Sequence, residues 1–315
     1  VCADLGCDAY LFEGPRSTPQ LSFAIRELRA DAGVVLTASH NPPHDNGFKC
    51  YFQDGAQVVE PHASGIIARV NAIQSVTFEP VPEARRGRLH RIGTEVDAAY
   101  LERLETLVLD PGLLRSRGGL KVVYSPIHGT GGVIVRPMLE RLGVDCVPVP
   151  EQERPDGRFP TVQSPNPENA EALALALRVA DEVGADLVLA TDPDCDRMGA
   201  AVRTASGAMA LLTGNQIGSL LAHYRVNRLR ADGTLTDANR HRAVLIKTFV
   251  TTDLQKAIAE HHGIGCVETL TGFKYIGEKL TRYEEAIPAP LRADYAAQSE
   301  AQTRALRLEY SRFYV

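Results

Sequence analysis

The chain has 315 residues, of which 44% are apolar and 23% charged, ordinary values for a globular protein with a sizeable core, so disorder is excluded as its main state. At about 150 residues per domain, the length suits two compact domains or three small ones. Thirty-nine acidic against 34 basic residues give a formal net charge of −5. This argues against a nucleic-acid backbone clamp, which usually carries a basic excess, and leaves room for a small anion in a local basic pocket.

Val1 to Asp8 carry neither a basic start nor an apolar stretch, and the chain begins with Val rather than Met. No apolar run approaches the ~20 residues that cross a bilayer, so neither a signal peptide nor a membrane partner is expected. Six cysteines, at 2, 7, 50, 146, 195 and 266, form no CxxC pair. Their spacing suits neither a zinc site nor a disulfide scaffold, and a reducing, cytoplasmic location is the expectation.

An amphipathic helix, a glycine stop, a short strand and a polar loop recur three times along the chain. The first copy is predicted as helix Thr18–Arg29, strand Val34–Thr37 and loop Ala38–Gly47. The second runs from Asn166-Pro167, an N-cap and first-turn proline, through helix Glu168–Val183 to Gly184, strand Asp186–Ala190 and loop Thr191–Gly199. The third is helix Thr252–His262, strand Gly265–Glu268 and loop Thr269–Tyr275. Alternating helices and buried strands predict α/β units. In open α/β sheets ligands sit beyond the carboxyl ends of strands, where all three loops fall. The expected fold is three similar α/β domains with mixed sheets around a shared cleft. Pro- and Gly-rich breakers place the domains at 1–111, 112–228 and 229–315.

The first loop holds Ser39 and His40. Ser39 ends a strand and is presented outward, either as a nucleophile or as a simple turn cap. In extended backbone, neighbouring side chains point to opposite faces, so a direct Ser39–His40 pair is not expected. Asn46-Gly47 and Asp54-Gly55 predict a hairpin of Phe48–Phe52 with Ala56–Val59, which would return Lys49 toward Ser39; the plain alternative leaves Lys49 on a solvated edge. The second loop, Asp192-Pro193-Asp194-Cys195-Asp196-Arg197, places three carboxylates at alternate positions of an extended segment. Such oxygens suit Mg²⁺ completed by phosphate oxygen; three solvated aspartates are the alternative. An EF-hand is excluded, because the sixth and twelfth positions are Arg197 and Arg203. Cys195 is expected to pack rather than ligate. In the third loop, Gly272 allows close backbone approach and Lys274 suits a phosphate, although an ordinary strand-to-helix turn accounts for it equally. His128-Gly129-Thr130-Gly131-Gly132 precedes the predicted helix Val133–Leu142 and reads either as an anion-binding helix start or as a tight connection.

Together these loops resemble the α-D-phosphohexomutase family. The resemblance is carried by Thr37-Ala38-Ser39-His40-Asn41-Pro42 with Asp45-Asn46-Gly47-Phe48-Lys49, by Asp192 to Arg197, and by Thr271-Gly272-Phe273-Lys274. Asp54-Gly55-Ala56-Gln57 and Ser125 to Gly132 are closest to the phosphoglucomutase and phosphopentomutase subgroup. The resemblance implies a phosphoprotein in which Ser39 carries the phosphoryl group. It implies Mg²⁺ held by Asp192, Asp194, Asp196 and a phosphate oxygen on Ser39. Lys49 would assist proton transfer or hold the reacting phosphate. His40, Arg197, Thr271, Gly272 and Lys274 would bind a small-molecule sugar phosphate. The implied reaction interconverts glucose 1-phosphate and glucose 6-phosphate through glucose 1,6-bisphosphate. Phosphomannomutase and phosphopentomutase activities are the nearest alternatives; a phosphatase or an inactive sugar-phosphate-binding fragment is a further one. The family's Gly-Glu-Glu-Ser sugar loop and its fourth-domain Arg-Ser-Gly-Thr phosphate loop do not occur in this chain, so a fragment is expected, with the first and third domains incomplete.

Overall fold

The computed structural model describes residues 1–116, 118–293, 295 and 298–315. In chain order its strands are β1 (Ala9–Phe12), β2 (Ala32–Leu36), β3 (Phe48–Phe52), β4 (Leu89–Ile92), β5 (Lys121–Ser125), β6 (Asp145–Pro148), β7 (Leu187–Thr191), β8 (Met198–Arg203), β9 (Met209–Leu212), β10 (Ala243–Thr248), β11 (Gly265–Thr269) and β12 (Phe313–Tyr314). The helices are α1 (Thr18–Glu27), α2 (His62–Ala72), α3 (Thr94–Glu105), α4 (Pro111–Ser116), α5 (Val135–Arg141), α6 (Ala170–Val183), α7 (Gly214–Ala231), α8 (Leu254–His261), α9 (Phe273–Glu284), α10 (Ala289–Arg292) and α11 (Glu300–Tyr310).

These elements form three α/β units. The first contains two strand pairs, parallel β1–β4 and antiparallel β2–β3. The second is built on a mixed sheet of order β6-β5-β7-β8-β9. The third has a parallel sheet of order β11-β10-β12. Val122, Val123 and Tyr124 are buried in succession on β5, as expected of a strand covered on both faces. On α6, Ala172, Leu173, Ala176 and Ala180 form one buried stripe, and the small alanines let the helix lie close on β5 and β7. Gly184 then takes φ +65° and ends the helix, its N–H donating to the Ala180 carbonyl. Asn169, rather than Asn166, occupies the N-cap position of this helix.

The units share helices across their boundaries. On α3, Val96 belongs to a core with Phe23, Ala24 and Ile92, whereas Leu101 belongs to a second core with Ile134 and Met138. The expected division at 228/229 falls inside α7, whose Val226 and Leu229 pack with Ala243, Leu245 and Phe313 of the third unit.

The expected hairpin is present in short form, and β3 is also paired along its other edge. Phe48–Phe52 pairs with Ala32–Leu36 in a five-residue antiparallel register that sets Lys49 opposite Val35. The segment 56–59 joins β3 only through one bridge, Tyr51 to Gln57, and neighbouring backbone hydrogen bonds. β3 thus lies between β2 and the return segment after Asp54-Gly55.

Candidate active site

The first loop delivers a hydroxyl to the second unit. Ser39 sits at φ +54°, a left-handed conformation uncommon outside glycine. The side chain of Thr37 accepts a hydrogen bond from the Ser39 N–H at 2.8 Å and so helps to hold the turn. Ser39 Oγ donates to Asp192 Oδ2 at 2.9 Å, across 153 positions of sequence. It also lies 3.3 Å from His40 Nδ1. The expectation that Ser39 and His40 would point apart is therefore corrected: it assumed extended backbone, and the left-handed turn at Ser39 brings both side chains to one side.

The second loop is a tight turn rather than an extended segment. The Cys195 N–H donates to the Asp192 carbonyl, and Cys195 itself takes φ +58°. Asp192 Oδ1 accepts the backbone N–H groups of Asp196 and Arg197, each at 3.0 Å. One oxygen from each of Asp192, Asp194 and Asp196 falls within 4.8 Å of the others. Asp192 and Asp194 are buried. Cys195 Sγ packs behind the loop, near Gly131.

Lys49 faces this cluster from β3, with Nζ 2.8 Å from Asp194 Oδ2 and 3.4 Å from Asp196 Oδ2. Burial opposes the Lys49 charge, but the hydrogen bond to Asp194 and the charges of both aspartates outweigh it and hold the ammonium above its ordinary value. Asp192 is pushed up to about 7, first by burial and then by the charge of Asp194. Asp194 is also penalised by burial, yet its bonds from Lys49, Asp192 and Thr18 hold it below the usual carboxylate range. The imidazole of His40 is lowered by burial and then by the Arg197 charge.

Arg197 Nη1 lies 3.3 Å from His40 Nε2. A guanidinium can only donate, so Nε2 is the acceptor and the proton of the neutral imidazole resides on Nδ1. A single directional chain follows: Arg197 donates to His40, His40 Nδ1–H to Ser39 Oγ, and Ser39 to Asp192.

Further residues support the site, and of these Thr18 was not singled out by sequence reasoning. Thr18 donates through Oγ1 to Asp194 Oδ2 at 3.1 Å and through its backbone N–H to the Asp194 carbonyl at 2.9 Å. Its placement at the carboxyl end of β1, in the Ser17-Thr18-Pro19 helix start, was the available signal. The Thr130 N–H and Oγ1 both donate to the Pro193 carbonyl, at 2.8 and 2.9 Å. The backbone of Gly129 packs directly on Pro193, and Gly131 packs on the Tyr124 hydroxyl and Thr191. Tyr124 Oη in turn lies 2.8 Å from Thr191 Oγ1. The 128–132 segment thus acts as a buttress for the aspartate loop, the tight-connection reading of that sequence. His128 is buried and its Nε2 lies 2.8 Å from Thr161 Oγ1.

The third loop stands apart from the cluster. Among the described residues no hydrogen bond or ion pair joins Thr271, Gly272 or Lys274 to Ser39 or the aspartates. Lys274 Nζ lies 5.0 Å over the Tyr275 ring and contributes a favourable charge to Glu60 of the first unit. Gly272 takes φ +126° immediately before α9. This loop is therefore carried beside the first unit by α9, whose Gly277 lies against Ala56.

The donor set fits a hard divalent cation. Asp194 Oδ1 is buried without a hydrogen-bond partner, and three carboxylates crowd one point while few cations offset them. Oxygen donors of this kind, with open positions left for water or phosphate, are those Mg²⁺ takes.

This fold and site define a phosphosugar mutase scaffold, and comparison with known proteins agrees. The phosphoglucomutase/phosphomannomutase α/β/α domain I matches residues 1–77, domain II matches 98–207 and domain III matches 213–288. The chain belongs to the phosphoglucomutase/phosphomannomutase family, the α-D-phosphohexomutases. It is 34% identical to a phosphoglucomutase of Staphylococcus epidermidis, over 89% of this chain and 50% of that protein. It is likewise 34% identical to a phosphoglucomutase of Staphylococcus aureus, over 90% and 50%. The chain therefore spans about half the length of the curated relatives it matches. A provisionally assigned phosphomannomutase of Thermus thermophilus superposes with a TM-score of 0.68 at 28% identity, over 89% of this chain and 58% of that one. A family protein of Burkholderia thailandensis shares the fold, with a TM-score of 0.64 at 21% identity, over 89% and 55%. Among the described residues no helix is long and apolar enough to cross a membrane.

Proposed function

We propose that this chain is the phosphoryl-carrying portion of a Mg²⁺-dependent phosphoglucomutase. Ser39 takes a phosphoryl group from a hexose bisphosphate and returns it to the 1- or 6-position of a hexose monophosphate. The observation that carries the reading is the 2.9 Å contact of Ser39 Oγ with Asp192, between loops of two different units. The choice of glucose over mannose or a pentose rests on the staphylococcal phosphoglucomutases at 34% identity.

The residues divide the work as phosphoryl transfer requires, by positioning and charge neutralisation. Asp192, Asp194 and Asp196 would hold the cation, which when bound supplies Lewis-acid polarisation of the phosphate. Asp192 Oδ2 orients the Ser39 hydroxyl, and as Oγ takes the phosphoryl group the hydroxyl proton ends on the sugar oxygen that the group leaves. His40 Nδ1–H stabilises Oγ when the group leaves. Lys49 and Arg197 offset charge on the equatorial oxygens. Thr18 and Thr130 hold the aspartate loop in place. Thr271, Gly272 and Lys274 bind the distal end of the sugar phosphate, with the third unit moving toward the cluster as substrate binds.

The test is intact mass and peptide mapping after exposure to glucose 1,6-bisphosphate with Mg²⁺. One phosphate on Ser39, absent in Ser39→Ala, is expected. Phosphate on another residue removes Ser39 as the carrier. Steady release of inorganic phosphate without a sugar acceptor would make the protein a phosphatase.

A further inference from the structure

We infer that Cys2 and Cys7 form a reversible intramolecular disulfide, a redox modification site remote from the phosphoryl-transfer cluster. Both thiols are exposed and free. They flank a short helical turn, Ala3–Leu5, that ends at Gly6 with φ +89°. The Gly6 N–H donates to the Ala3 carbonyl and the Cys7 N–H to the Cys2 carbonyl, each at 3.0 Å. That pair of bonds, one nested inside the other around a left-handed glycine, is the Schellman helix ending. Its geometry brings the two residues of the outer bond together, and apolar side chains at those positions commonly touch. Here both positions are cysteine.

The backbone sets a bound on the distance. With the Cys7 nitrogen 3.0 Å from the Cys2 oxygen, ordinary bond lengths keep the two Cα atoms within about 7 Å. Disulfides require Cα atoms no farther apart than about 7 Å. The turn is also held from outside: the Val81 N–H donates to the Asp4 carbonyl at 2.8 Å and the Gly87 N–H to the Ala3 carbonyl at 2.9 Å. The two cysteines are thus presented by a braced backbone within the Cα separation a disulfide spans. The remaining cysteines, Cys50, Cys146, Cys195 and Cys266, are only partly exposed, and burial raises each of their thiols above its ordinary value, which disfavours the reactive thiolate.

The oxidant is a low-molecular-weight disulfide such as oxidised glutathione. One cysteine thiolate attacks a glutathione sulfur, forming a mixed disulfide and releasing one glutathione thiolate. The second cysteine thiolate attacks the protein-side sulfur, the mixed disulfide breaks, and a second glutathione leaves. The two thiol protons end on the two glutathiones. The protein is oxidised by two electrons and the glutathione disulfide is reduced.

The experiment incubates the chain with oxidised glutathione, blocks residual thiols, and maps peptides by mass. The expected result is a Cys2–Cys7 link, a loss of about 2 Da, with the other four cysteines alkylated and full reversal by dithiothreitol. Cys7→Ser should trap Cys2 as a glutathione adduct, because the resolving thiol is gone. Stable glutathione adducts on both Cys2 and Cys7 of the unsubstituted chain, or a link that uses any other cysteine, overturn the proposal. So does the return of both residues unmodified when Cys7→Ser also fails to take up glutathione.

Discussion

At the scale of single residues, the candidate site rests on side chains that stand behind its acidic cluster. Thr18 reaches from the first unit to a buried carboxylate of the second. Replacing it by Val keeps the shape and removes the hydroxyl donor, leaving the backbone bond to the Asp194 carbonyl intact. Partners of metal ligands typically influence affinity 10–100-fold, so Thr18→Val is expected to weaken Mg²⁺ or Mn²⁺ binding about tenfold by titration calorimetry. An unchanged affinity would show that the hydroxyl is not needed to orient Asp194. His128 makes a second residue-scale case, one that concerns pH. Burial holds its imidazole below the ordinary value. As pH falls through about 6.5, the unfolded chain takes up the proton first while the folded chain resists. The histidine's contribution is therefore complete above that pH and lost toward acid, at no more than about 1.4 kcal/mol per pH unit. Urea unfolding at pH 7.5 and 5.5 should show a stability drop that is smaller in His128→Gln. Equal drops would assign the acid sensitivity elsewhere.

At the scale of elements, the buttress behind the aspartate loop is the most sensitive part. A Cβ built on Gly129 would lie 2.3 Å from Pro193 Cα and 2.6 Å from its carbonyl oxygen, both backbone atoms that cannot rotate away. Gly129→Ala is expected to displace the loop and reduce divalent-ion affinity at least tenfold, on the order of a lost supporting contact, while far-UV circular dichroism stays near the parent's. Parent-like affinity would mean the loop relaxes without cost. The same elements explain what could be read beforehand. Helix–glycine–strand–loop units were legible because Gly184 and Gly263 stop helices and because α6 carries an unbroken apolar stripe. The convergence of Asp192, Asp194 and Asp196 was legible from their position after a buried strand. The pairing of β3 with β2 was not, because the turn at Asp54-Gly55 signals only the partner on one edge and local sequence does not name the strand on the other. The Ser39–His40 contact was also hidden, since a left-handed serine leaves no mark in composition or periodicity. Thr18 was missed, and Gly129 was read only as part of a helix start or tight connection, because their roles exist only once distant segments are packed together.

At the scale of the whole molecule, the cation would act as a staple. Lys49 and Ser39 come from the first unit and the three aspartates from the second. A ligand at 100 times its dissociation constant stabilises the bound form by about 2.7 kcal/mol. Saturating Mg²⁺ is therefore expected to raise the melting temperature by several degrees, and Asp194→Asn should abolish most of that rise. A rise of equal size in Asp194→Asn would place the ion elsewhere on the protein.

One helix also limits how the molecule can flex. Because α3 buries Val96 in one core and Leu101 in the next, turning the first unit against the second would strip apolar surface from both, at about 1.5–3 kcal/mol for each side chain fully exposed. These two units therefore travel as one rigid plate. Swivel is left to the junction at α7, where the Thr252 N–H donates to Asn215 Oδ1. The serine and the acidic cluster are thus held at one spacing, and any large rearrangement of the molecule would fall at the third unit.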